Sequence, residues 1–410
     1  MKKTIGPIAL LFAVVLSISA CSGTPITQNT ATPENTTNQA DSQAKVNVNS
    51  DDPDSQATNG SGENTIEMTR AMEIEYTSAF SVIYITDDIF LVTDAENQQF
   101  LLVPRGEHAP EGYDDAILIY TPVERVLFSS STQYGMIAPF DIWDKLGGIM
   151  ANATYRSPFD GLNERIDDGR VINVGSGDST NYELVQMLDP EITFVFTGTS
   201  SGNINLIAKL DELGLLYAVD NEYMEERHKG RMEWIKFIAP FFGIADEAVE
   251  YFNEMIDRLE TAEEMMANIQ RPKVAWGRIT NGMGSVAGAD SYVAAMIESM
   301  GGEYIFNYLE GTGNISISLE DFYSACLEAD IWLYMSNLNI MPSYEELLEA
   351  APVLADLPVV ANRNVWQQGL DYFSLTGEID KQAIELAAIF HPDLFPDYGE
   401  DYRHFNKLAE

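Results

Sequence analysis

Cysteine, histidine and basic side chains are all scarce in this 410-residue chain, and each scarcity narrows what it can do. The two cysteines, Cys21 and Cys326, are too few for a disulfide framework, so the core must supply the stability. Cys326 lies in an apolar periodic stretch and reads as a buried, inert thiol. The four histidines, His108, His228, His391 and His404, are too scattered to suggest a metal cluster or a Ser-His-acid set. Lys and Arg total 23 against 64 Asp and Glu, a formal net charge of −41 with a pI near 4.1. Nucleic acid is therefore not an expected partner, because phosphate binding needs clustered cations. The acidic surface reads first as a solubilising one, with attraction of cationic ligands as the alternative.

What is present begins with a signal. Lys2 and Lys3 precede a nearly unbroken apolar run from Ile8 to Ile18. The run is too short to span a bilayer as a mature helix and has the flanks of a cleavable export signal. Its ending, Ile18-Ser19-Ala20-Cys21, resembles a bacterial lipobox, which implies cleavage before Cys21 and lipidation of its thiol. The mature protein is then expected on the extracytoplasmic face of the cell membrane, attached through a lipid anchor only. Residues 22–64 are rich in Ser, Thr, Asn, Gln, Asp and Gly and read as a disordered tether.

The remainder is long enough for two domains. Its opening is β-rich: Phe80 to Ile85 and Ile89 to Thr93 flank a hairpin signal at Thr86-Asp87-Asp88, and Phe100 to Val103 follows. From Val126 short apolar strands alternate with amphipathic helices. Strands are expected at Val126–Phe128, Val171–Val174, Ile192–Phe196 and Leu215–Val219. Helices are expected at Thr132–Leu146, Asn181–Leu188 and Ile204–Leu213. Such alternation argues for mainly parallel sheets covered by helices, an α/β fold. Residues 230–270 read as helical with a break near Pro240 and Gly243; Val249, Phe252, Met255, Ile256 and Leu259 follow helical spacing. A second α/β set starts at Lys273–Trp276. It continues with a helix over Ser291–Met300, another from Ser318, strands at Ile331–Tyr334 and Asn364–Trp366, and a closing helix over Ile379–Phe390. The expected division is 1–21 signal, 22–64 tether, 65–229 first lobe with its β-rich entry, 230–270 connecting helices and 271–410 second lobe.

The order of several short motifs resembles the substrate-binding lipoproteins of ABC importers for ferric siderophores, heme and cobalamin. These are Pro122-Val123-Glu124-Arg125-Val126, Val174-Gly175-Ser176-Gly177, Asn181-Tyr182-Glu183 and Leu188-Asp189-Pro190-Glu191-Ile192 in the first half. Gly230-Arg231-Met232-Glu233-Trp234 opens the connector. Ser291 to Phe306 with Gly301-Gly302, Ser318-Leu319-Glu320 and Ala329-Asp330-Ile331 follow in the second half. The resemblance implies two lobes bridged by a long helix and a ligand held between them. It implies no catalytic chemistry and no cofactor. It also implies a monomer that docks on an ABC permease through one glutamate per lobe, Glu183 and Glu320 by position.

Ligand contacts are expected just past the strands. The candidates are Ser130, Thr132 and Thr197 in the first lobe and Arg227 near the start of the connector. In the second lobe they are Trp276, Arg278, Trp366 and Tyr372. Each has a structural alternative: the hydroxyls as helix caps, the tryptophans as core, the arginines as partners of nearby carboxylates. Arg278 follows an apolar strand, where packing explains it poorly, and its planar fork suits an anionic chelate. The cleft loops carry Gly177, Thr197 and Asn314 where cobalamin binders place aromatics, which turns the expectation toward a ferric chelate. Heme stays open, with Tyr372 or His228 as conceivable axial ligands. An extracellular hydrolase and a surface adhesin or sensor are the alternatives from other classes. Gly175-Ser176-Gly177-Asp178-Ser179 is not a Gly-x-Ser-x-Gly elbow.

Overall fold

The computed structural model describes residues 70–198, 201–336, 339, 341, 343–398 and 402–409. The expected signal, Cys21 and the tether lie outside these residues.

The β-rich entry forms a sheet of its own. Strands β1 (Arg70–Ala71), β2 (Ser81–Tyr84), β3 (Phe90–Thr93), β4 (Gln99–Pro104) and β5 (Ile117–Thr121) lie side by side in chain order. All neighbours are antiparallel except β4 and β5. The sheet packs on the connector through aromatic rings: Phe80 lies 4.8 Å from Trp234, and Phe100 lies 5.6 Å from Phe241. A buried charge staples the segment before β2. Glu233, fully buried, accepts from the backbone amides of Glu75 (2.9 Å), Tyr76 (2.7 Å) and Thr77 (3.2 Å) and from the Lys236 ammonium (3.0 Å). Those donors offset the cost of burying the carboxylate.

The first lobe is built on a parallel sheet. Its strands are β6 (Val126–Phe128), β7 (Leu146–Ile149), β8 (Ile172–Asn173), β9 (Ile192–Val195) and β10 (Tyr217–Val219), in the spatial order β10-β9-β6-β7-β8. Its helices are α1 (Ser131–Ile137), α2 (Asp160–Asp167), α3 (Tyr182–Leu188) and α4 (Ser201–Leu213). The expected helix through Leu146 stops at Ile137, one residue before a tight turn containing Pro139. Leu146-Gly147-Gly148-Ile149 then forms β7. A Cβ on either glycine would come within 2.8 Å of Leu188, so the pair lets α3 lie close on the sheet. The turn after β3 covers the outer edge of β10: Asp94 accepts from the Val219 amide at 2.9 Å and Gln98 donates to the Tyr217 carbonyl at 2.7 Å. An open strand edge is thereby closed.

The connector holds α5 (His228–Glu233), α6 (Ile235–Ile238) and α7 (Ala245–Met265), broken where Pro240 and Gly243 were expected to break it. Helix α7 runs 21 residues and buries Ala248, Phe252, Met255, Leu259 and Ala262, a stripe of alternating four- and three-residue steps.

The second lobe has strands β11 (Lys273–Thr280), β12 (Met283–Ala287), β13 (Glu303–Tyr304), β14 (Asn314–Ser318), β15 (Ile331–Tyr334), β16 (Val365–Gln368) and β17 (Phe405–Lys407). The order is β14-β12-β11-β15-β16-β17, with β13 also pairing β11. Helices α8 (Tyr292–Ser299), α9 (Leu319–Cys326), α10 (Tyr344–Ala350), α11 (Pro358–Ala361) and α12 (Ile379–Phe390) complete it. The β11–β12 hairpin turns on Asn281 and Gly282 at φ of 53° and 74°, the left-handed pair such a turn requires. Cys326 is fully buried, and burial pushes its thiol pKa well up, as an inert core thiol requires.

Candidate functional site

In the first-lobe sheet all strands run the same way, so their carboxyl ends share one edge. In the second lobe β11, β15 and β16 are parallel. Strand β14 is antiparallel to β12, itself antiparallel to β11, so β14 also ends at that edge, with Ser318 opposite Met283. Loops leaving such edges are where open α/β sheets bind ligands.

Among the described residues, the first lobe and connector touch the second lobe at two main places. At the first, α1 presses against the segment before α12. A Cβ on Gly135 would sit 2.4 Å from the Ser374 carbonyl oxygen, and one on Gly377 would sit 2.4 Å from the Gly135 carbonyl oxygen. Tyr251 of α7 donates to the Gly377 carbonyl at 2.9 Å, and the Tyr155 and Ser374 hydroxyls are 2.9 Å apart. At the second, Arg231 of α5 forms a buried ion pair with Glu222 and lies 4.5 Å over the ring of Tyr292, the first residue of α8. Burial opposes the Arg231 charge, but Glu222 and Tyr292 outweigh it and raise the pKa. Asp220 beside them is fully buried; burial first, then Glu222, pushes its carboxyl well above the usual range.

The structure separates the expected contacts into three groups. Ser130 and Thr132 belong to a helix cap. The Ser130 hydroxyl accepts the Thr132 amide at 3.2 Å, and Gln133 Oε1 accepts the Ser130 amide at 3.1 Å, a reciprocal capping box. Thr197 and Arg227 line one cavity of about 750 Å³ with Glu75, Tyr76, Asn221 and Glu225. No described residue of the second lobe lines it. Asn221 holds Thr197 by its side-chain amide, accepting the Thr197 amide and donating to its hydroxyl, both at 2.9 Å. Arg227 is exposed and makes no side-chain bond with a described residue.

The third group is in the second lobe. Trp276 is a correction to the expectation: at 1% exposure it is core, 6.3 Å from the ring of Tyr372 and 6.2 Å from Phe405. Trp366 is half-buried against Tyr402 at 4.9 Å, and its indole N–H donates to Asn364, so packing accounts for it. Tyr372 is buried, and its hydroxyl lies beside Tyr292, Arg231 and Gln368; burial first, then Tyr292, pushes its pKa well up. Arg278 is half-buried, pairs with no carboxylate of a described residue, and its shielded Nε has no acceptor.

Sequence reasoning missed Ser336 and Gln367. Both are buried; the Ser336 hydroxyl and both ends of the Gln367 amide have no partner. A polar pair, Gln367-Gln368, ending an apolar strand was the available signal.

The two docking candidates occupy equivalent places. Glu183 and Glu320 are exposed, each in the first turn of a helix, α3 and α9, capped by Asn181 and Ser318. Each helix starts at the carboxyl edge of its lobe's sheet. His228 is buried with neither ring nitrogen bonded, and burial lowers its pKa to about 3. Among the described residues no group of three or more His, Cys, Asp or Glu is set to hold a metal ion.

Residues 137–368, more than half of the chain, match the family model described as periplasmic binding protein. The chain belongs to this family, whose members bind substrates and are not enzymes. An uncharacterized lipoprotein of Methanocaldococcus jannaschii is 30% identical over 313 residues, 74% of either chain. Two solved structures share the fold: the periplasmic heme-binding protein RhuT of Roseiflexus sp. RS-1 in apo form and an ABC transporter substrate-binding protein of Listeria monocytogenes. RhuT is 19% identical at a TM-score of 0.55, covering 66% of this chain and 98% of that one. The Listeria protein is 16% identical at 0.52, covering 66% and 99%. The five-stranded entry sheet, residues 70–121, precedes the span that matches the family model.

Proposed function

We propose that this chain is an extracytoplasmic lipoprotein, anchored through Cys21 and a tether over 22–64, that captures an iron chelate and delivers it to an ABC importer permease. The ligand sits between a first lobe at 65–229 and a second lobe at 271–410, joined by the connector at 230–270. A ferric siderophore is the first choice, with heme or cobalamin as the wider class. The protein acts as a monomer.

Arg278 carries this reading. In a chain of net charge −41 an arginine pairing with no described carboxylate, with a shielded Nε that lacks an acceptor, is matched to an anion that comes from outside. Ligand likeness among the fold neighbours agrees with it: RhuT is named as heme-binding.

A thermal-shift panel on the full chain tests the proposal, using ferric catecholate, hydroxamate and citrate chelates, heme and cobalamin. A ligand at a hundred times its Kd adds about 2.7 kcal/mol, a readily measured rise in Tm. Silence across the panel would remove iron chelates and cobalamin from consideration. Docking has its own test. Glu183→Arg with Glu320→Arg should abolish uptake by whole cells while leaving chelate affinity within about twofold, since both side chains are exposed and neither is among the expected ligand contacts.

A further inference from the structure

Apart from any ligand, the chain carries a short pattern that exported proteins use for modification. Asn-x-Ser/Thr, with x other than proline, is the acceptor for N-linked sugar. It stands at Asn35-Thr36-Thr37, Asn59-Gly60-Ser61, Asn152-Ala153-Thr154 and Asn314-Ile315-Ser316. The first two fall outside the described residues. The other two are exposed at both asparagine and hydroxyl residue, yet their backbones differ.

Asn314 opens β14, and strand pairing places it opposite Ala287 and Ser316 opposite Ser285. The triplet is extended and held in the ladder with β12, so it cannot fold back on itself. Asn152 lies in the loop between β7 and α2. Its Oδ1 accepts both the Thr154 amide, at 3.1 Å, and the Thr154 hydroxyl, at 3.0 Å. This is an Asx turn, and both lone pairs of the amide oxygen are used. The main chain beneath it is pinned: the Asn152 carbonyl accepts from the Tyr155 amide at 3.1 Å and from Asn173 Nδ2 at 3.2 Å. Asn152 Nδ2 itself donates to no described residue. The loop meets the second lobe through Tyr155, whose hydroxyl is 2.9 Å from that of Ser374, while Asn152, Ala153 and Thr154 are exposed.

We propose that Asn152 carries an N-linked oligosaccharide and that Asn314 is spared. The turn alone would be ordinary loop structure. What singles out Asn152 is an exposed acceptor triplet already folded with both Thr154 donors on Oδ1 and with Nδ2 free. An amide nitrogen is a poor nucleophile because its electron pair is shared with the oxygen. Two donors on Oδ1 stabilise the charge that gathers there as Nδ2 gives up a proton, which leaves the nitrogen pair available. The sugar donor is an oligosaccharide linked to a polyprenyl phosphate or pyrophosphate. Nδ2 bonds to the anomeric carbon, and the bond from that carbon to the phosphate oxygen breaks. The polyprenyl phosphate leaves with the electron pair, one amide proton passes to a base of the transferase, and nothing is oxidised or reduced. This inference rests on the extracytoplasmic placement in the proposed function, since the sugar is added to chains that have crossed the membrane.

The test has two arms on the full chain. In the first, the chain is purified from the membranes of its own cells and its peptides are read by mass spectrometry. The Asn152 peptide should carry sugar and the Asn314 peptide should be bare. Asn152→Gln, Ala153→Pro and Thr154→Val should each lose the sugar, while Thr154→Ser, which keeps the hydroxyl, should retain it. A bare Asn152 in a chain found outside the cytoplasm overturns the inference, as does sugar on Asn314 or sugar that survives Thr154→Val. A chain that stays in the cytoplasm counts against the proposed function instead, and the second arm then decides. There the folded full chain is mixed with membranes of the same cells and an added polyprenyl pyrophosphate-linked oligosaccharide. Transfer to Asn152 with Asn314 bare supports the site. No transfer to Asn152, or transfer to both, overturns it.

Discussion

The two lobes use the same construction, parallel strands with helices leaving their carboxyl edges, yet they finish those edges in opposite ways. The first lobe ties its edge hydroxyls into a capping box and an Asn221 clamp. The second leaves an arginine, a serine and a glutamine with unpartnered shielded atoms. Symmetry of topology therefore does not imply symmetry of chemistry. Backbone hydrogen bonding dictates the first, while the second depends on which side chains find partners within reach. Between them, the Arg231–Glu222 pair belongs to both stories: it is satisfied within the first half and meets the second lobe at the face of Tyr292 and beside Tyr372.

The largest expected effect concerns that joint. Glu222→Ala removes the carboxylate bonded to Arg231, which is buried at 5% exposure, and should cost about 3–5 kcal/mol in chemical denaturation. A cost below about 1 kcal/mol would show that the lobes meet without help from this charge. The contrast between the edges predicts a smaller, selective effect at the two arginines. Arg278→Ala should weaken an anionic chelate by roughly ten- to a hundredfold, about 1.4–2.7 kcal/mol, without lowering Tm. Arg227→Ala, on the exposed rim of the first-lobe cavity, should change affinity less than threefold in calorimetry.

The smallest effect sharpens the second lobe alone. Burial would lower the pKa of His404, but Glu378 and Glu385 outweigh it and raise it, with Glu385 bonded to the ring at 2.9 Å. Burial would raise Glu378, yet His404, Lys381 and Arg403 bring it down to about 2. The folded protein thus binds the His404 proton more tightly than the unfolded chain does. Its contribution is full below about pH 6.5 and lost as pH rises through the raised value. The Glu378 contribution is present above its unfolded pKa and lost as pH falls toward about 2. His404→Asn should destabilise the protein more at pH 5 than at pH 9, read from urea midpoints. Equal losses at both pH values would mean the ring acts through packing.

Much of the architecture was legible because it follows from period and punctuation. The stripe on α7, the closing helix at 379–390 and the hairpin at 86–88 all appear as read. The β11–β12 hairpin is legible too, because Asn281-Gly282 is a strong turn signal. Strand β7 was not, since a Gly-Gly pair has little strand preference and becomes one only because α3 needs the space above it. The entry sheet's separateness was hidden for a similar reason. Alternation shows strands, but their partners are chosen by register with distant segments.

The site divides along the same line. Arg278 could be singled out because its setting in the chain is local: it follows the apolar Val274-Ala275-Trp276 run, in a strand that the structure extends to Thr280. Arg227 and Arg231 could not be told apart from a stretch that holds both, one helical turn apart; the fold exposes the first and buries the second against Glu222 and Tyr292. Trp276 and Ser130 looked equally available until the core and the capping box claimed them.

By itself the sequence determined the alternation of strands and helices, the broken connector and the excess of carboxylates, because hydrophobic period, proline, glycine and charge act over a few residues. Only the tertiary structure decided which polar groups are spent and which are left over. A hydrogen bond needs its partner within about 3 Å, and here those partners are brought together, or withheld, by strands and helices far apart in the chain.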